Sequence, residues 1–284
     1  MSVLSITKCI IISILTASIS FSTCAEIGIY ANADDRNSEI YSNLNRLVAE
    51  HGDTKEDIVI VLGIQALSNL LSEKIHHADT HFIVLLLTKR EFDKFQKGNK
   101  FKSNITAIYS EPAIEAQVFL GKTLFGVDAK IKIPTFDELD NSLYHEEIRQ
   151  YLMPVKKPKS WLRNIGNTDV VIATPDDDIF SQSNIVPIAL SLYRRRIGLI
   201  GYSEKMIDVG AIASLYVTRD DLFDSLFEVI KYTEKYSKLP KPTHSKKYRV
   251  AINKVLAKTL GLHSIDVKFI EETINNYLRV GEET

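Results

Sequence analysis

The sequence predicts an α/β protein built as two doubly wound, mostly parallel-sheet lobes that face each other across a cleft. Three observations carry this expectation. Continuous apolar runs of strand length alternate with amphipathic stretches of helix length. The runs end in glycine, proline or small polar residues, as strand-to-helix turns do. The alternation forms two series, the second running from about Leu124 to Thr218, and βα alternation builds parallel sheets.

Taken in order, residues 26–30 begin a strand and Glu39–Glu50 a helix. Ile58-Val-Ile-Val-Leu-Gly63 is an unbroken apolar strand that ends in glycine and passes directly into a helical stretch, Ile64–Ile75. Phe82–Thr88 and Ile105–Ser110 read as further strands. Glu111–Phe125 reads as a helix with Pro112 in its first turn, where proline is tolerated. In the second series, Asp169-Val-Val-Ile-Ala-Thr-Pro175 is a short buried strand stopped by Pro175 and three aspartates, Asp176, Asp177 and Asp178. A helix around Ile185–Tyr193, a strand Ile197–Ser203, a short helix and a strand Ile212–Thr218 follow. Leu222–Tyr236 and Ile265–Leu278 are helical, joined by a polar, proline-bearing connection that includes Lys238–Lys247. The expected division is residues 1–25 as a signal peptide, 26–112 with 219–284 as lobe 1, and 113–218 as lobe 2.

Ala173-Thr174-Pro175-Asp176, Gly201-Tyr202-Ser203, Gly210-Ala211-Ile212-Ala213-Ser214 and the late Asn253, Ala257 and Leu260-Gly261 together resemble a known family. The chain is similar to extracytoplasmic solute-binding components of ABC-type transport systems, in the branch related to tryptophan and tyrosine binders. The match covers roughly the last 120 residues. The resemblance implies the type I periplasmic binding protein architecture, with the chain crossing between lobes more than once and the ligand captured by hinge closure. One departure is plain. Between Tyr30 and Ile58 there is room for one helix, where family members carry a helix, a strand and another helix, and the stretch from Lys132 to Trp161 is also compressed.

Candidate ligand contacts follow from position, because small molecules bind at the carboxyl ends of strands in such sheets. Gly63, Ile64, Gln65 and Ala66 form a strand-to-helix turn whose backbone N–H groups could meet an anion, or whose glycine serves only the tight turn. Tyr109 and Ser110 sit at a similar turn, where Ser110 is either a contact or an N-cap. Asp176 could accept hydrogen bonds from a ligand ammonium or hydroxyl, with Asp177 and Asp178 on the solvated side. Ser203 stands at the next strand end, beside Tyr202 with its stacking face.

Enzyme chemistry finds little support. The three aspartates lack the alternating spacing and terminal glutamate of a calcium loop. His76-His77 with His81 fits a polar surface better than a metal site, since adjacent histidines on a helix point to different sides. Ser203 lies outside any Gly-x-Ser-x-Gly elbow, and neither a phosphate-binding Gly-Lys loop nor a Gly-x-Gly-x-x-Gly cluster is present. No catalytic residue, cofactor or metal is expected. With 25% charged residues and a net charge of −1, the chain lacks the basic excess of a nucleic-acid binder. Arg194-Arg-Arg196 suits the carbonyl end of a helix.

At the amino terminus, Lys8 precedes an apolar stretch, Cys9–Phe21, shorter than the roughly 20 residues that span a bilayer. Small residues Thr23-Cys24-Ala25 then allow cleavage before Glu26, the pattern of a secretory signal. Cleavage there removes both cysteines. Lipid attachment at Cys24 is the alternative, against which Phe21 and Thr23 depart from a lipobox. The expected protein is therefore periplasmic, binding a small molecule, amino-acid-like on the family resemblance, and delivering it to an ABC permease or other membrane partner. The alternative is a ligand-sensing or accessory protein that serves a membrane sensor or outer-membrane receptor without transport.

Overall fold

The computed structural model describes residues 27–51, 54, 57–72, 80–98, 104–136, 144–157 and 159–282. The expected signal segment, with Cys24, and the His76-His77 pair lie outside these residues.

The first sheet begins with four parallel strands in sequence order: β1 (Ile27–Tyr30), β2 (Ile58–Leu62), β3 (His81–Leu87) and β4 (Ile105–Tyr109). Both faces are apolar because both are covered. Ile58, Ile60, Leu62, Ile83 and Leu85 pack with Leu44 of α1 (Glu39–His51). The alternate residues Val61, Phe82 and Val84 meet Ala66, Leu67 and Leu70 of α2 (Ile64–Ser72) and Phe92 of α3 (Lys89–Gly98). All three crossovers step the same way across the sheet, yet α1 lies on the opposite face from α2 and α3. The β1–α1–β2 crossover thus has the opposite hand to the two after it, an arrangement found in about 2% of such units. Helix α3 was not expected, since Phe92 alone among its residues is buried and the rest of it is largely polar.

After β4 the chain enters α4 (Ile114–Phe125) and a second sheet. Glu111, Pro112 and Ala113 precede this helix instead of forming its first turn, which corrects the expected start. The sheet contains β5 (Ile131–Thr135), β6 (Leu152–Pro154, after the one-turn helix α5, Glu146–Arg149), β7 (Val170–Ile172), β8 (Gly198–Gly201) and β9 (Ala213–Tyr216). Their order is β6-β5-β7-β8-β9, all parallel. The direction of winding reverses between β5 and β7. Ile131, Ile133, Val170 and Ile172 pack under α4, while Val171 and Leu199 face Ile188 and Leu192 of α7 (Gln182–Arg194), which follows the short α6 (Asp177–Phe180). Strands β5 and β6 escaped the sequence because Lys132 and Pro134 interrupt one and the other has three residues.

The chain then returns. Helix α8 (Arg219–Tyr236), capped by Thr218, lays Leu222, Leu226 and Ile230 on the α1 face of the first sheet. The two-residue β10 (Thr243–His244) adds beside β4. The next strand, β11 (Arg249–Ile252), pairs antiparallel with β9, and after α9 (Lys254–Thr259) the last helix, α10 (Val267–Glu282), buries Ile270 and Ile274 in the core of the second lobe. Residues 249–282 therefore lie with lobe 2 and not, as expected, with lobe 1. A helix's apolar stripe does not state which sheet it will cover.

Three crossings join the lobes, at residues 110–113, 217–218 and 245–248, and they are fastened to one another. The Ala113 N–H donates to the hydroxyl of buried Tyr248 at 3.1 Å. Arg249 grips Asp221 with two hydrogen bonds, at 3.0 and 3.1 Å, and Glu271 with a third at 3.1 Å. Burial alone would raise the Asp221 carboxyl, but the bonds from Arg249 and Thr218 outweigh it and hold the group below the usual carboxylate range.

Candidate ligand-binding cleft

The carboxyl ends of both sheets face a cleft of about 1170 Å³. Lobe 1 contributes Lys89, Arg90 and Asp93 after β3 and Tyr109 at the end of β4; lobe 2 contributes Thr135 at the end of β5 and Thr174, Pro175 and Asp176 after β7. Thr135 and Asp176 thus flank the winding reversal, where the crevice in a doubly wound sheet opens. Glu111 and Tyr248 on the crossings and His244 at the end of β10 form the floor.

Asp176 is 6% exposed and is the N-cap of α6, its Oδ1 accepting the Asp178 N–H at 3.0 Å. Its Oδ2 is paired across the cleft with the Arg90 guanidinium, which also lies 3.9 Å from Asp178. Arg90 reaches this place because β3 ends in an irregularity: the register with β4 shifts between Val84 and Leu87, and Leu86 takes a φ of 57°. Lys89 next to it pairs with Asp93.

Glu111 is 8% exposed. Its Oε1 accepts the Lys89 N–H at 2.6 Å, while Oε2 has no hydrogen-bond partner among the described residues. Burial pushes this carboxyl up to about 7 against the opposing effect of the Lys89 N–H. Thr135, 4% exposed, likewise has a hydroxyl without a partner among the described residues. His244 Nδ1 lies 3.0 Å from the Glu111 carbonyl oxygen. A carbonyl only accepts, so Nδ1 carries the proton; burial lowers the ring to about 4, leaving it neutral at pH 7 with its lone pair on Nε2. The ring stands edge-on to Tyr109, at 4.8 Å between centroids, and burial raises the Tyr109 phenol so that it stays protonated. Gln117, buried in α4, donates to the carbonyls of Ala173 and Gly201 at 3.1 and 3.2 Å, tying the helix to the ends of β7 and β8. Tyr277 stacks on Phe119 at 4.5 Å on the apolar side of the cleft. Polar atoms and ring faces from both lobes thus converge on one space, an arrangement suited to holding a molecule.

Of the nine residues expected from sequence, Tyr109 and Asp176 line this cleft. Gly63, Ile64, Gln65 and Ala66 form the β2–α2 turn away from its wall. Gly63 has a φ of 83°, and its N–H bonds the Leu85 carbonyl at 2.8 Å, so a tight turn accounts for the glycine. The Gln65 amide donates to Asn69. Ser110 is not an N-cap; its hydroxyl donates to the Leu87 carbonyl at 3.1 Å. Tyr202 packs on the outer core of lobe 2, and the Ser203 carbonyl accepts the Ser214 hydroxyl at 2.6 Å. Arg90, Glu111, Thr135 and His244 were missed. A carboxylate beside a crossing and a histidine in a two-residue strand carry no periodic signal, and the Pro134 next to Thr135 hid its strand. Among the described residues no group of three or more His, Cys, Asp or Glu side chains is placed to hold a metal ion. No described helix is long and apolar enough to cross a membrane.

No family model matches the chain, and no curated protein matches it. Solved structures do. A ligand-free, open substrate-binding protein with adhesive properties from Clostridium difficile is similar at a TM-score of 0.57 with 13% identity, covering 85% of this chain and 96% of that one. A conserved domain protein from Vibrio cholerae is similar at 0.51 with 16% identity, covering 82% and 81%. A domain from Streptococcus pneumonia in complex with L-Trp scores 0.47 with 16% identity, covering 88% and 97%. Identities this low show the fold alone: two α/β lobes arranged as in type I periplasmic binding proteins.

Proposed function

We propose that the protein is the extracytoplasmic solute-binding component of an ABC-type transport system, capturing a small molecule between its lobes and presenting it to a permease. The observation that supports this most directly is the cleft itself, which opens between the carboxyl ends of both sheets and is lined by polar and aromatic side chains from both lobes, with Glu111 on a crossing and Thr135 at the end of a lobe-2 strand in its wall. Capture is binding with hinge motion about the three crossings. The amino-terminal segment accords with export to the periplasm by a signal cleaved before Glu26. Sequencing the amino terminus of periplasmic material tests this; a chain starting at Met1, or a lipid on Cys24, refutes it.

The test of function is mass spectrometry of whatever co-purifies with the folded protein, with a thermal-shift screen of amino acids, nucleosides and other metabolites. A ligand at 100 times its dissociation constant adds about 2.7 kcal/mol to the state that binds it. Neither a shift nor a co-purifying molecule would sink the reading. A second reading, an accessory or sensing protein without transport, draws on the Arg90–Asp176 pair, which bridges the lobes with the protein's own charges.

A further inference from the structure

We propose that the outer face of α7 docks lobe 2 onto an anionic phospholipid surface, with guanidinium groups at the head groups and apolar side chains among them. The inference starts from a helix that is apolar on both sides. Ile185, Ile188, Ala189 and Leu192 enter the core of lobe 2. On the other side Val186, Leu190 and Tyr193 are 42%, 52% and 42% exposed, and their spacing makes them one stripe along the helix. Val186, Pro187, Leu190 and Ser191 line a groove of about 490 Å³ that ends at Arg194 and Arg195. A helix apolar all round is ordinarily covered all round.

The charge beside the stripe has one sign. Between Ile179 and Ser203 the chain has no acidic residue, and between Ile148 and Thr168 it has none either. The two segments pack together through Trp161 and Leu162, and Arg195 donates to the Leu162 carbonyl. Exposed Arg163 is thereby brought to the end of α7 that carries exposed Arg194, Arg195 and Arg196. No carboxylate among the described residues pairs with Arg194 or Arg196. The helix dipole accounts for a cation in the last turn. It does not account for Arg196, which follows the helix in left-handed backbone at a φ of 58°, or for Arg163. Strand β8 starts at Gly198, so this basic edge lies by the amino ends of the strands, away from the cleft at their carboxyl ends.

Charge and size select the occupant. A second copy seated symmetrically would bring the same arginines against one another. A stable protein partner engages about 20–30 residues a side, far more than this stripe offers. An anionic bilayer asks for cations at head-group depth, a few apolar side chains entering the interface, and a tyrosine with an apolar ring and a polar tip. All three are present on this face, and a lobe bound through it keeps its cleft uncovered.

Co-sedimentation with vesicles tests the proposal, comparing phosphatidylcholine alone with an equimolar mixture of phosphatidylcholine and phosphatidylglycerol. Wild type and variants share the same amino terminus, so any contribution from residues 9–21 is common to all. Wild type is expected to prefer the mixed vesicles by about tenfold or more, and to lose that preference as salt rises. Arg194→Gln combined with Arg196→Gln should lose about tenfold in binding to the mixed vesicles; Arg195 is kept because it holds the Leu162 carbonyl. Leu190→Gln should lose about fivefold. Lys94→Gln combined with Lys97→Gln removes the same charge from exposed positions on α3 in lobe 1 and should bind within about twofold of wild type. Thermal unfolding verifies that each variant folds. No preference for the mixed vesicles, undiminished binding by the arginine variant, or an equal loss in the lysine variant would overturn the proposal. A dimer in sedimentation velocity that Leu190→Gln dissociates would assign the face to a second copy and overturn it as well.

Discussion

Replacing Asp176 by Asn separates the two tasks of that side chain. Asn and Asp cap helices about equally well, so the bond to the Asp178 N–H survives and α6 should hold. The charge facing Arg90 disappears. Asp176 is 6% exposed, and the Arg90 side chain 19%, so the pair is shielded well enough to matter. Removing one partner from a buried pair costs about 3–5 kcal/mol when the other must stay buried. Arg90 is not so confined, because the pair spans the cleft and opening the lobes returns the guanidinium to water. The loss should then fall near the about 1.5–3 kcal/mol of a charged hydrogen bond, and appear as lobe opening more than as unfolding. Taking about 2 kcal/mol, the ratio of closed to open forms shifts roughly 30-fold. Small-angle X-ray scattering of the ligand-free protein reads this as a larger radius of gyration, with Arg90→Gln giving the same change. Asp178→Asn, on a side chain 63% exposed and 3.9 Å from Arg90, should scatter as wild type. Unchanged scattering for Asp176→Asn and Arg90→Gln would refute the latch, and a large fall in melting temperature without expansion would assign the pair to fold stability.

Three further outcomes are expected. His244, lowered from 6.5 to about 4, contributes stability that is full above pH 6.5 and lost as pH falls toward 4, whereas Glu111, raised from 4.5 to about 7, contributes stability that is full below 4.5 and lost as pH rises toward 7. Between pH 4.5 and 6.5 the two slopes oppose, so relative to wild type Glu111→Gln should gain stability with rising pH and His244→Gln should lose it; parallel urea-derived pH profiles would contradict this. Gly201→Ala would place a methyl 2.6 Å from both Met206 Cβ and Ser214 Oγ, and should cost about 1–3 kcal/mol in denaturant titration; a neutral result would mean that β8 and the turn after it yield freely. Asn253→Ala removes the side chain that accepts the Leu256 N–H at 3.1 Å and should cost about 1 kcal/mol, while Asn253→Asp should be close to neutral.

The alternation of apolar runs made the two α/β lobes legible, because strands such as Ile58–Leu62 and Gly198–Gly201 are covered on both faces and must be apolar throughout. Elements held by few residues were not. β10 is two residues long and exists because β4 offers it an edge, and α3 is held by Phe92 with little else apolar behind it. For the cleft, Asp176 and Tyr109 could be read from strand ends, since a strand's carboxyl end is fixed by where its apolar run stops. Glu111 and His244 could not. Their importance arises where a crossing and the edge strand β10, 133 residues apart in the chain, lie side by side. Conversely, Gly201, Ser203, Ser214 and Asn253 stood out in sequence as a pattern, and the structure uses them for close packing and capping.

The edge strands β10 and β11 place a constraint on the order of assembly. Both come from beyond residue 242, yet one completes the sheet begun at Ile27 and the other completes the sheet of the second lobe. A chain still being synthesised has every inner strand of both sheets before it has either of these outer ones, and strands that wait for such distant partners pair slowly. Neither sheet is complete until the chain has passed residue 242. Cutting the chain at residue 218 would leave each sheet short of an edge, one bordered by an unpaired β4 and the other by an unpaired β9, and exposed edges of that kind seek other chains.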